Sequence, residues 1–129
     1  MIFDSHAHYD DEAFDDDRDE VLAAVRDDGV RYIMDAGSNI ESSRFSAELA
    51  RRYEFIYSAV GIHPENADGF AENSLAEIRD IAKFKKVRAI GEIGLDYHYD
   101  DSNREIQRKV FEEQVKLAIE LNLPVIVHD

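Results

Sequence analysis

Short apolar runs rich in β-branched residues alternate with helix-like stretches along the whole chain, and this alternation restricts the folds open to it. Five runs have strand character, at residues 1–4, 31–36, 55–60, 87–90 and 124–127. Four helical stretches separate them, at about 18–28, 41–53, 74–84 and 103–121. Val21, Leu22 and Val25 form the apolar stripe of the first helix, with Gly29 as a natural stop. The second is entered through Ser38-Asn39 and carries Phe45 and Leu49 one turn apart; the third has Leu75, Ile78 and Ile81. The last opens on the capping box Ser102-x-x-Glu105 and closes at Asn122 and Pro124. Each strand-plus-helix unit takes about thirty residues, the span of a right-handed βαβ crossover. The strands lack clean polar–apolar alternation, as strands of a helix-covered parallel sheet do.

Such units build either a doubly wound open sheet or a (β/α)8 barrel. A nucleotide-binding open sheet needs a glycine-rich phosphate turn after its first strand. Here that position reads SHAHYDDEAFDDD, with no glycine and many acids. The fold class expected is therefore α/β of the TIM-barrel type, with about five of the eight strands present. No linker or low-complexity tract divides the chain, so residues 1–129 read as a single, incomplete domain. Strands that end in a small residue followed by a polar cluster (DAGSN, VGIHP, GEIGLDYH) echo one another, as a repeated βα plan would.

All five histidines fall at or just beyond strand ends. His6 and His8 close the first strand, His63 follows the third, His98 the fourth, and His128 ends the fifth; Glu92 also ends the fourth. In a barrel these C-terminal ends converge on the face where active sites sit. Residues i and i+2 of a strand point the same way, so His6 and His8 form a two-toothed grip while Ala7 packs outward. Cysteine is absent, which excludes disulfides and thiolate sites. Imidazole with carboxylate suits Zn²⁺, Mn²⁺ or Mg²⁺. Glu92 has two oxygens and could bridge two divalent metal ions, a pair able to clamp both oxygens of a phosphodiester around a metal-activated water.

The stretches FDSHAHYD, VGIHPENA, AIGEIGLDYHYD and PVIVHD resemble the successive signatures of the TatD-type metal-dependent DNases, in the amidohydrolase-like barrel group. The resemblance covers the whole chain in the family's order; Tyr9 is a mild departure, at a position that is usually aliphatic. It implies that His6 and His8 hold one metal, that Glu92 bridges two as the catalytic carboxylate, and that His128 binds the second. The family's later histidine, aspartate and arginine have no counterpart here, so the resemblance implies the N-terminal part of a chain about twice as long.

His63 reads either as a contact to substrate phosphate or as a satisfied loop histidine. Asp96 reads as a carboxylate that orients a ligand or caps its own loop. Asp4, two residues before His6, is expected to face inward beneath the ligands or to pack at the strand start; His98 is a plain loop residue as readily as a functional one. Lys83, Lys85, Lys86 and Arg88 precede the fourth strand, which puts them at the far end of the barrel as a solvated loop. Net charge is −14, from 29 acids and 15 bases, which excludes a protein that coats nucleic acid by neutralising phosphates.

The resemblance implies a metal-dependent hydrolase, foremost a 3'-5' exodeoxyribonuclease trimming single-stranded DNA ends. The alternatives are another ester or amide hydrolase, such as a D-aminoacyl-tRNA deacylase, or an inactive fragment. No run approaches the ~20 apolar residues of a membrane span, and no basic-then-apolar leader precedes the first strand, so cytoplasm is the expected compartment. Unpaired strand edges lead us to expect self-association of the isolated chain.

Overall fold

A computed structural model describes residues 1–98 and 103–129. Strands β1 (Ile2–Ala7), β2 (Val30–Ala36), β3 (Ile56–Val60), β4 (Val87–Gly94) and β5 (Val125–His128) alternate with helices α1 (Arg18–Asp27), α2 (Ile40–Arg52), α3 (Ser74–Ile81) and α4 (Arg104–Leu121). Short 3-10 turns, Glu12–Phe14 and Pro64–Gly69, follow β1 and β3. The strands form one sheet in the order β1-β2-β3-β4-β5, and every neighbouring pair is parallel. A doubly wound sheet reverses its direction of strand addition at a switch point. This sheet never does, so it winds as a TIM barrel winds, in agreement with the alternation of the sequence.

One face of the sheet is packed and the other open. Leu22, Ile33, Leu49, Ile56 and Ala7 form one buried cluster beneath α1 and α2. Val60, Ile78, Ile81, Ile90, Ile93, Val110 and Leu117 form the second, beneath α3 and α4. Ala7 thus turns its methyl group into the helical layer. On the barrel-lining face, Phe3, Tyr32 and Tyr57 form a chain of ring contacts, with centroids 6.4 and 6.3 Å apart.

Local chemistry places the helix ends. Asn39 accepts from the Ser42 N–H at 2.7 Å, and Ser42 Oγ accepts from the Asn39 N–H at 3.0 Å, a closed capping box at the start of α2. Asn122 adopts the left-handed conformation (φ 55°) that ends α4. Asn103 stands at the N-cap of α4 without a side-chain capping bond; Ser102 of the expected capping box lies outside the described residues.

The elements differ from the sequence reading in three ways. β1 runs on to Ala7 and β4 to Gly94, so His6 and Glu92 lie inside strands, because parallel pairing with β2 and β5 carries these polar and glycine-rich segments along. α3 stops at Ile81, where the chain turns and leaves Phe84 exposed. Lys86 is not a solvated loop residue: its Nζ donates to the carbonyls of Ala50 and Tyr53 at 2.6 Å and of Glu54 at 3.1 Å. These are the orphan carbonyls at and just beyond the end of α2, where a cation is favoured by the helix dipole.

Candidate metal centre

Four histidines and one glutamate meet at the C-terminal rim of the sheet. Glu92, on β4, is buried to 7% side-chain exposure and divides its two oxygens between two groups. Oε2 lies 3.0 Å from His6 Nε2 and 3.1 Å from His8 Nε2. Oε1 lies 2.8 Å from His128 Nδ1 and 3.7 Å from His63 Nε2. Two sets of ligating atoms result, His6–His8–Glu92 and His63–Glu92–His128, each compact enough to surround an ion. The loop after β2 ties them together: Gly37 C=O accepts from the Glu92 N–H at 3.0 Å, and Ser38 C=O from the His63 N–H at 2.9 Å.

The hydrogen bonds decide which nitrogen of each ring is free. A carbonyl only accepts, so the 2.8 Å contact of His8 Nδ1 with Ala36 C=O puts a proton on Nδ1. The bare Nε2 of a neutral His8 then faces Glu92 Oε2, two acceptors in contact, which a cation between them resolves. His63 is the opposite case. Its Nδ1 accepts from the Glu65 N–H at 3.1 Å, so its proton sits on Nε2, which faces Glu92 and His128. His63 therefore offers the rim a hydrogen-bond donor, although its distances alone would admit it as a ligand. His128 directs Nε2 to Asp96 Oδ2 at 3.0 Å and Nδ1 to Glu92. A carboxylate behind a metal-binding imidazole orients it and raises its basicity.

Electrostatics follow from this packing. Burial pushes the Glu92 carboxyl up, but bonds from His128 and His6 outweigh it and hold Glu92 below its usual range. Burial pulls the His128 imidazole down; Glu92 and Asp96 together reverse this and raise it. For His63 burial prevails, and its imidazole is lowered, which keeps it neutral. The Asp96 carboxyl is lowered by the His98 N–H and then by His128.

Asp4 Oδ1 accepts from the backbone N–H of His6 at 3.3 Å. His98 donates its backbone N–H to Asp96 at 3.0 Å.

Sequence reasoning missed a buried acid pair behind His8. Asp35 is fully buried, its Oδ1 accepts from the Asp10 N–H at 3.2 Å, and Asp35 Oδ2 and Asp10 Oδ1 lack any donor. Burial and then the Asp35 charge push the Asp10 carboxyl up to about 8. Burial raises the Asp35 carboxyl as well, so the pair favours a bound proton. The signal was an aspartate at a helix-facing position of an apolar strand, Ile33-Met34-Asp35-Ala36.

With its carboxyl raised to about 8, Asp10 keeps in the folded chain a proton that an unfolded aspartate loses near pH ~4. Stability should therefore fall as pH rises from about 4 to about 8, at a limiting slope of about 1.4 kcal/mol per pH unit. Asp10→Asn should flatten this dependence, as measured by urea unfolding in EDTA at pH 5, 6.5 and 8. An unchanged slope would show that Asp10 is not the group that holds the proton.

The sheet winds in one direction and gathers imidazoles around a carboxylate on its C-terminal rim, the face on which TIM-barrel active sites sit. The family model described as TatD related DNase matches residues 3–129, and the chain belongs to that family. It is 42% identical over 129 residues to the uncharacterized metal-dependent hydrolase YabD of Bacillus subtilis, covering 100% of this chain and 51% of the relative. It is also 42% identical, over 115 residues, to the 3'-5' ssDNA/RNA exonuclease TatD of Cronobacter sakazakii, covering 89% of this chain and 44% of that one. The crystal structure of YJJV, a TatD homolog from Escherichia coli K12, superimposes with a TM-score of 0.92 at 34% identity, over 98% of this chain and 50% of that one. The chain thus spans about half the length of the curated relatives it matches. Among the described residues, no helix is long and apolar enough to cross a membrane.

Proposed function

We propose that this rim is the cation-binding half of a phosphodiesterase that removes nucleotides from the 3' end of single-stranded DNA. The observation that carries the proposal is the division of Glu92, one oxygen facing His6 and His8 and the other facing His128. A carboxylate shared in this way suits two divalent cations, Mg²⁺, Mn²⁺ or Zn²⁺, which when bound supply Lewis-acid polarisation of the phosphoryl group and activate water. His6, His8 and Glu92 would hold the first position, Glu92 and His128 the second. Asp96 holds the His128 ring in place through Nε2, and the Nδ1 proton that His128 directs to Glu92 must leave before that nitrogen can ligate. His63 presents Nε2–H to a phosphate oxygen.

The substrate class rests on the relatives named as exonucleases. Charge agrees with end-trimming rather than coating: a net charge of −14 disfavours neutralising the phosphates of a long strand, and trimming needs only the terminal nucleotides to reach the rim. Incubation of the chain with Mn²⁺ and 5'-labelled single-stranded DNA should shorten the label stepwise and release mononucleotides, and EDTA should stop it. Cleavage of an aminoacyl-tRNA ester with the DNA left intact would overturn the nuclease reading and keep the metal site.

A further inference from the structure

Helix α4 carries two buried glutamines on its inner stripe, Gln107 at 3% and Gln114 at 1% exposure, alternating with Val110 and Leu117. They stand seven residues apart, about two helical turns. Each grips one backbone residue at both of its polar atoms. Gln114 Oε1 accepts from the Ile62 N–H at 2.7 Å, and its Nε2 donates to the Ile62 C=O at 3.1 Å. Gln107 Oε1 accepts from the Asp96 N–H at 2.8 Å, and its Nε2 donates to the Asp96 C=O at 2.8 Å. Both residues lie just past a strand end, where the ladder of the sheet no longer supports the chain. A primary amide copies the donor and acceptor of a peptide group, so each glutamine stands in for a missing strand neighbour. The pairing also forbids the flipped amide, which would set N–H against N–H and O against O.

The two gripped residues are not arbitrary. Ile62 immediately precedes His63, and both His63 and Asp96 touch His128, at 3.1 and 3.0 Å. Among the described residues, no hydrogen bond or ion pair joins α4 to the His6 or His8 side chain; these bond to Glu92, and His8 also to Ala36 C=O. We infer that Gln107 and Gln114 are positioning residues for the His128 side of the rim, and that α4 sets this cation position independently of the His6–His8 position. The cation part of the inference rests on the functional reading above. The backbone clamp does not.

The two parts separate in one experiment on the ¹⁵N-labelled chain, with Zn²⁺ as the probe and no DNA. In the unsubstituted chain the Ile62 and Asp96 amides should exchange at least about tenfold more slowly than open loop amides. Exchange at the open-loop rate at either amide overturns the clamp, whatever the variants do. In Gln107→Leu, the His128 ring signals should need about tenfold or more Zn²⁺ to shift, while the His6 and His8 signals titrate as before. Gln107→Glu keeps the acceptor for Asp96 N–H and should recover part of that affinity. Gln114→Leu should average the two His63 ring-nitrogen signals, which are distinct while the Nε2–H form is locked. Equal weakening at both cation positions, or none, overturns the independence of the two sides. Failure of DNA cleavage alone bears on the nuclease reading and leaves these results standing.

Discussion

Glu92→Gln is expected to remove both cation positions at once and to lower phosphodiester hydrolysis by at least about 10³-fold, equivalent to about 4 kcal/mol of transition-state stabilisation. The substitution keeps the shape of the side chain and discards its charge. A glutamine offers one oxygen and one NH2 group where Glu92 offers two oxygens, so it can face at most one group of rings with an acceptor. The other group then meets donors. His6, His8 and His128 each make their closest ionisable contact with this single buried carboxylate, and among the described residues only His128 has a second anionic partner, Asp96. The folded core should survive, because Glu92 sits at the rim and outside the apolar clusters. Mn²⁺ binding by calorimetry should therefore collapse while the urea midpoint in EDTA stays nearly unchanged. Retained affinity at both positions would show that Glu92 is not shared.

Gly94→Ala should be the most damaging small substitution for the second position. Gly94 pairs with His128 across β4 and β5 and has φ of 154°, where a side chain is strained. A methyl group there would come within 2.5 Å of the His128 carbonyl oxygen and 3.1 Å of its nitrogen. Both are backbone atoms, which cannot swing aside as a side-chain end can. Overpacking and the unfavourable φ together should cost about 3 kcal/mol. Relief requires the end of β5 to move away, and His128 moves with it. The variant should thus lose urea stability and His128-side Zn²⁺ binding together, with His6 and His8 still able to bind. Normal stability with intact binding at His128 would contradict the close pairing.

The barrel winding was legible because each strand is a compact β-branched run and each helix an apolar stripe with its own stop signals. The strand ends were less so. Asp4-Ser5-His6 and Gly91–Gly94 look unlike strand interiors, and only their pairing partners, distant in sequence, extend β1 and β4 that far. The rim residues could be found because histidines are few and all fall after apolar runs. His63 was left undecided by its position; the Glu65 N–H on its Nδ1 is what makes it a donor. Asp35, Gln107 and Gln114 carry no such mark. Each is a polar residue in an apolar period, and its partners are an acid across a loop or backbone atoms as far as 52 positions away. Lys86 misled for the same reason, since the carbonyls it caps belong to a helix end more than thirty residues earlier.

The central claim is that one carboxylate serves two cations. Anomalous scattering from crystals of the chain soaked in Mn²⁺ measures this directly. Two peaks should flank the Glu92 carboxylate, one beside His6 and His8 and the other beside His128, and neither should appear in Glu92→Gln. A single peak, or peaks that persist without the Glu92 charge, would contradict it.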